Sequence, residues 1–146
     1  MSIQASTGLR NHMLANGSLS SAINGGRINI YSGTPPITAD AAVTGTLLCS
    51  ISLNSTATGI DMDTAASNGV LSKAPAQVWS GANVATGTAT WYRHVGAMDD
   101  GTASATAPRL QGDVALSGAD LNISNTALTA GATQTVDFYS VALPTA

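Results

Sequence analysis

The sequence predicts an all-β protein, an antiparallel β-sandwich or partly closed barrel with a short N-terminal helical segment. Three observations predict it. Ala, Thr, Ser and Gly fill 74 of the 146 positions, and all eight acidic residues are Asp, with no Glu anywhere. Only 9% of residues are charged, so the chain lacks the Glu, Lys and Arg that coat exposed helix faces and is rich in residues that favour strands and turns. From Arg27 onward, apolar residues recur at alternate positions in short runs bounded by Gly, Pro, Asn and Asp, which is how half-buried strands read. The length suits one thin core.

The N-terminal stretch departs from that pattern. Leu9, Met13, Leu14, Leu19 and Ile23 recur at helical spacing, with Ser6 or Thr7 available as an N-cap. Gly17 interrupts the run, so a helix is expected near residues 7–16, a second turn or two at 18–23, and a stop at Gly25-Gly26. Residues 1–26 therefore form an expected N-terminal helical segment that either docks on a partner or packs on one face of its own sandwich, and residues 27–146 the β-sandwich domain.

The first strand is Arg27 to Ser32, with Ile28 and Ile30 on one face, ending at Gly33 and the extended Pro35-Pro36 pair. Thr46 to Leu53 follows, with Leu47, Cys49, Ile51 and Leu53 on one face. Shorter candidates lie at 58–63 and 69–73, and Ala76 to Trp79 precedes an expected turn at Ser80-Gly81. Gly87 to Met98 alternates around aromatics and closes at Asp99-Asp100-Gly101, which reads as a hairpin. Arg109 to Ser117 sets Leu110, Gly112, Val114 and Leu116 on one face. Ala119 to Ser124 adds Leu121 and Ile123, and Thr133 to Leu143 offers Val136 and Phe138 against Tyr139 and Val141. Trp79, Trp91 and Phe138 are expected as the large pieces of the core. No period of 20 to 50 residues repeats, which argues against a solenoid.

Catalytic chemistry finds no motif. A Ser nucleophile lacks its Gly-x-Ser-x-Gly turn, and His12 and His94 read as polar side chains rather than bases. Asp61-x-Asp63 and Asp99-Asp100-Gly101 offer hard oxygens without the twelve-residue calcium loop, so turns that bond their own backbone are the better reading. Asn24-Gly25-Gly26-Arg27 lacks the Lys-Ser/Thr of a phosphate loop. The lone Cys49 reads as a small buried apolar residue. Three Asn-x-Ser/Thr sequons, at Asn16, Asn54 and Asn122, are what chance gives in so Ser- and Thr-rich a chain. Net charge is −3 with five scattered cations, which leaves no basic footprint for nucleic acid and no polybasic anchor for a membrane. No signal-peptide pattern opens the chain and no window of 18 apolar residues occurs. No cofactor, metal or catalytic residue is expected.

The stretches Gly8-Leu-Arg-Asn-His-Met-Leu14, Ala22-Ile-Asn-Gly-Gly-Arg-Ile-Asn-Ile-Tyr-Ser-Gly-Thr-Pro-Pro36 and Ala39-Asp-Ala-Ala-Val-Thr-Gly-Thr-Leu-Leu48 resemble a family of small virion proteins of tailed bacteriophages and prophages. The later segments Thr106 to Gly112, Ser117 to Asn122 and Ala130 to Val136 look like the same family. The resemblance implies a virion structural protein, a capsid decoration or cement protein on the capsid surface, made in the host cytoplasm, with a tail-associated or adhesin role as the alternative. Its partners would be the major capsid protein and copies of itself, a trimer before a dimer. The composition suits such a role independently, because a surface with few ions approaches another protein without costly desolvation. The expected interface residues are Ile3, Leu9, Arg10, Met13 and Leu14. Deleting residues 1–16 is expected to abolish binding while leaving the strands folded.

Overall fold

Residues 3–143 are described by the computed structural model. In chain order the elements are β1 (Gln4–Ala5), α1 (Thr7–Ala15), α2 (Leu19–Ile23), β2 (Arg27–Tyr31), β3 (Leu47–Leu53), β4 (Val70–Ser72), β5 (Trp79–Ala82), β6 (Gly87–Thr88), β7 (Trp91–Val95), β8 (Arg109–Ala115), β9 (Leu121–Asn122), β10 (Ala127–Leu128), β11 (Thr133–Val136) and β12 (Ser140–Ala142). With 37% strand and 10% helix the fold is all-β and sandwich-like, and the sheet is not a closed barrel. The helices start where capping chemistry allows. Ser6 Oγ accepts the Leu9 N–H at 3.1 Å, and Ser18 with Ser21 forms a reciprocal capping box at α2, so each helix has orphan donors satisfied.

The main sheet runs β1-β8-β7-β2-β3-β5-β11, and β9 also pairs with β8. Neighbours along that path are antiparallel, whereas β9 lies parallel to β8. Because β1 pairs with Leu110 and Gln111 while β9 pairs with Val114 and Ala115, the two short strands lie in line along the side of β8 away from β7. Two ribbons, β4–β12 and β6–β10, complete the strands.

The sheet curls back over its own core. His94 on β7 and Trp79 on β5 are three strand spacings apart, about 14 Å in a flat sheet at the usual 4.8 Å spacing, yet their rings sit 6.2 Å apart, centroid to centroid. Tyr139 fills the fold of the curl and touches Trp79, His94 and Tyr92 with centroids 5.5–5.8 Å away. Around this aromatic knot pack Ile28, Ile30, Ile51, Leu110 and Leu121, with Leu9, Leu19 and Ile23 from the N-terminal segment in the same core.

Close backbone approach explains two glycines. A Cβ on Gly81 would stand 2.1 Å from the Ser50 carbonyl oxygen, and one on Gly26 would stand 1.8 Å from that of Val95. Ser80-Gly81 is therefore interior to β5 rather than the expected turn: the glycine is there to let β3 come close.

Other expectations are corrected as well. A register shift between Ile30 and Tyr31 leaves Leu48 as the extra residue of a bulge in β3, so Leu48 and Cys49 are both buried and Leu47 is turned outward. This is what one inserted residue does to a period of two. Leu116 lies beyond the end of β8 and is exposed. Trp79 and Trp91 are buried as expected, but Trp91 lies on the opposite face of the sheet from the apolar core. Phe138 is 86% exposed, because the chain turns between β11 and β12 to send its neighbour Tyr139 inward.

His94 is 1% exposed, and neither ring nitrogen finds a hydrogen-bond partner among the described residues. Burial alone pushes its pKa down to about 3. Below its unfolded pKa of about 6.5 the unfolded chain takes up a proton that the folded chain refuses. Stability from this group is thus complete above pH 6.5 and falls as pH drops toward 3, by about 1.4 kcal/mol per pH unit. Urea unfolding from pH 6.5 to 4 should show that slope in the parent protein and a shallower one in His94→Phe; equal slopes would refute it.

Candidate functional site

The face of the sheet opposite the apolar core carries Arg93, Arg109, Gln111, Trp91 and Tyr31, all buried. Two loops cover it, residues 32–46 and 96–108, and the side chains of the sheet hold those loops by their carbonyls. Arg109 donates to the carbonyls of Ala39 at 3.1 Å and Thr102 at 2.6 Å and forms an ion pair with Asp99, Nε to Oδ2 2.5 Å. Arg93 donates to the Ala41 carbonyl at 2.9 Å and twice to Gln111 Oε1, while Gln111 Nε2 donates to the Pro36 carbonyl at 2.9 Å and to Gln4. Trp91 stacks on Tyr31 at 4.3 Å, and the Arg93 guanidinium also lies over the indole, 5.6 Å from the ring centroid. Burial, with the repulsion of Arg109 second, lowers the Arg93 pKa to about 10, which still leaves it charged at neutral pH. Two of the five cations that read as scattered in the sequence are therefore structural.

The N-terminal segment is stitched to the same sheet. Ser6 Oγ accepts the N–H groups of both Leu9 and Arg109 and donates to the Ala107 carbonyl, so one hydroxyl caps α1 and ties it to β8. Asp40 accepts from the Thr7 N–H and hydroxyl, each at 2.7 Å. Those two bonds, the hydroxyl's first, lower its pKa. Arg10 is exposed, donates to Thr7 Oγ1 and adds a smaller lowering to Asp40.

Beside this segment opens an apolar groove of about 640 Å³, with Ile3 and Ala5 of β1, Met13 of α1, Leu71 of β4 and Val141 of β12 among its lining residues. A second hollow of about 370 Å³ continues it past Ile3, Val141 and Ala142 to Asp120, Asn122 and the exposed ring of Phe138. Of the five expected interface residues, Ile3 and Met13 are half-buried in the groove wall, while Leu14 stands 86% exposed outside it. Arg10 lies outside it too, in a neighbouring hollow with Asp40. Leu9 is corrected: it has no exposed surface and supports the groove from the core. The clean deletion of residues 1–16 is corrected for the same reason, since it would strip β1 from β8 and Leu9 from the core.

The residues weighed for chemistry are absorbed by the fold. His94 is sealed in the core. His12 Nε2 lies 2.8 Å from Ser21 Oγ, a hydroxyl that also accepts the Ser18 N–H and bonds the Ser18 carbonyl, so this serine is part of the α2 cap. Asp61 accepts from Gly25 and Gln77, and Asp63, Asp99 and Asp100 each bond a backbone N–H one or two residues on. Cys49 is buried, which pushes its thiol up to about 11. No protein-family model matches the chain, and neither does any curated protein or any solved structure.

Breaking the buried ion pair from one side leaves an uncompensated charge. Asp99→Ala should cost about 3–5 kcal/mol in urea unfolding, against about 1 kcal/mol or less for Arg10→Ala at the exposed site. Similar costs for the two would contradict the assignment of Arg109 as the fastening of the loops.

Proposed function

We propose that the chain is a bacteriophage virion structural protein, a capsid decoration or cement protein that binds the lattice of the major capsid protein and stabilises the shell. The observation that carries the reading is the apolar groove beside α1, formed where the expected docking segment meets β12, together with the exposed Leu14 on the same helix. A half-buried apolar concavity, walled by a helix that also bares a leucine, is a surface suited to a partner protein. The family resemblance of the sequence supplies the virion context.

Two further features support a tile-like role. The surface has few ions to desolvate, and the carbonyl-held loops make the outer face of the sheet stiff. A protein that binds only the assembled lattice stabilises it by mass action, without chemistry of its own. Copies associated as a trimer would match local three-fold positions of a shell, and sedimentation at micromolar concentration reads that state directly.

Antibody labelling of particles from the producing cell is the test. Label over the shell faces is the expected result; label at the tail tip would assign the chain to the tail instead, and unlabelled particles would end the virion reading. Leu14→Glu, at a side chain that supports no core contact, should reduce binding to isolated shells at least tenfold with unchanged urea unfolding.

A further inference from the structure

We infer that the groove is an unfilled seam of the sheet, and that its occupant is an extended strand from another polypeptide, apolar at alternate positions and carrying Lys or Arg toward both ends. The inference rests on the interaction reading above and specifies the chemistry of the partner.

The main-chain pattern defines the seam. Ser6 N–H donates to the Arg109 carbonyl and Gln4 faces Gln111 across the pair, so antiparallel alternation turns the N–H and C=O of Ile3 and Ala5 away from β8. On the other bank, Lys73 donates to the Tyr139 carbonyl and Leu143 to that of Gly69. The same alternation turns the main-chain groups of Ser140 and Ala142 away from β4. Among the described residues β1 pairs only with β8, and β12 only with β4. Ile3, Ala5 and Ala142 all line the groove, and Ser140 lines its continuation. Two open strand edges thus border one trough, apolar in the half near Leu71 and mixed polar and apolar in the half near Phe138. A strand added between them is the complement that satisfies such edges, with every second side chain entering the trough.

Charge selects the occupant further. The charged residues lining the trough are Asp120 in the half near Phe138 and Asp63 in the half near Leu143, and no Lys or Arg lines either half. A segment with a cation toward each end and uncharged residues between them complements this arrangement.

The test uses the whole protein and three labelled peptides read by fluorescence anisotropy: KTVTVTVK, its acidic counterpart ETVTVTVE, and the shuffled KTTTVVVK. The first should bind at least tenfold more tightly than either of the others. Ala142→Pro removes an outward-facing N–H from an edge strand while leaving the bonds to β4, and should weaken that binding at least tenfold. Asp63→Lys should narrow the preference for the basic over the acidic peptide, a readout that does not depend on how Ala142→Pro folds. Equal affinity for all three peptides, no binding of KTVTVTVK, or no effect of either variant would overturn the inference. So would self-association that Ala142→Pro abolishes, since a second copy would then fill the seam. Particles that label with antibody while the peptide fails would remove this inference alone; peptide binding with unlabelled particles would remove the virion reading and leave the seam.

Discussion

The second face of the sheet is the constraint on which the rest of the structure depends. In an antiparallel sheet one face is commonly solvated, and here that face carries two guanidinium groups, an amide and a tryptophan. Once the loops cover it, the two guanidinium groups and the amide must find acceptors, because a buried unpaired charge is far more costly than the loop ordering needed to satisfy it. The neutral Trp91 indole N–H, by contrast, is left without a partner among the described residues. The acceptors are the carbonyls of Pro36, Ala39, Ala41 and Thr102 together with Asp99. Satisfying Arg93 and Arg109 therefore fixes the course of two long loops, and with the loops over Trp91 and Arg93 and the core over Tyr92 and His94, all five residues of β7 are buried.

With that face anchored, the other face is free to bend. The bulge at Leu48 adds local twist to β3, and the absence of a side chain at Gly81 lets β5 draw in against it. The sheet then closes over Tyr139, Trp79 and His94 instead of stacking as two flat layers. A core poor in large aliphatic residues is filled by this aromatic group, and the N-terminal helices supply Leu9, Leu19 and Ile23 to seal one end. The curled sheet ends at β1, and the β4–β12 ribbon does not pair with it, so the groove lies between that edge and the ribbon.

Local chemistry was legible in the sequence. Ser6 as a cap, the short helices and the alternation in β2 depend on neighbours within a few residues, and they stand where the pattern puts them. Long-range events were not. The alternation in Trp91-Tyr-Arg-His-Val95 shows two faces but not that both are covered, since nothing near Arg93 or Arg109 announces loops arriving from residues 36–41. The bulge at Leu48 shifts a period of two without any Gly or Pro to mark it, and Phe138 and Tyr139 are indistinguishable by pattern although one is bare and the other is central. Of the candidate interface, Ile3, Met13 and Leu14 were legible as an apolar stripe. The part β12 plays in the groove was hidden because it is contributed from the far end of the chain.

The loops over the polar face are gripped by their main-chain oxygens, and every residue type presents the same oxygen. Substitution at Ala39, Ala41 or Thr102 leaves the acceptor in place so long as the new side chain fits, whereas Arg93, Arg109 and Gln111 have no equivalents. Sequence drift should accordingly be tolerated unevenly, with a fixed set of donors beneath and a variable exterior above, at exposed positions such as Ile37, Thr38 and Met98. Such a scaffold separates the inheritance of shape from that of surface, so its outward chemistry can diversify without the fold being rebuilt.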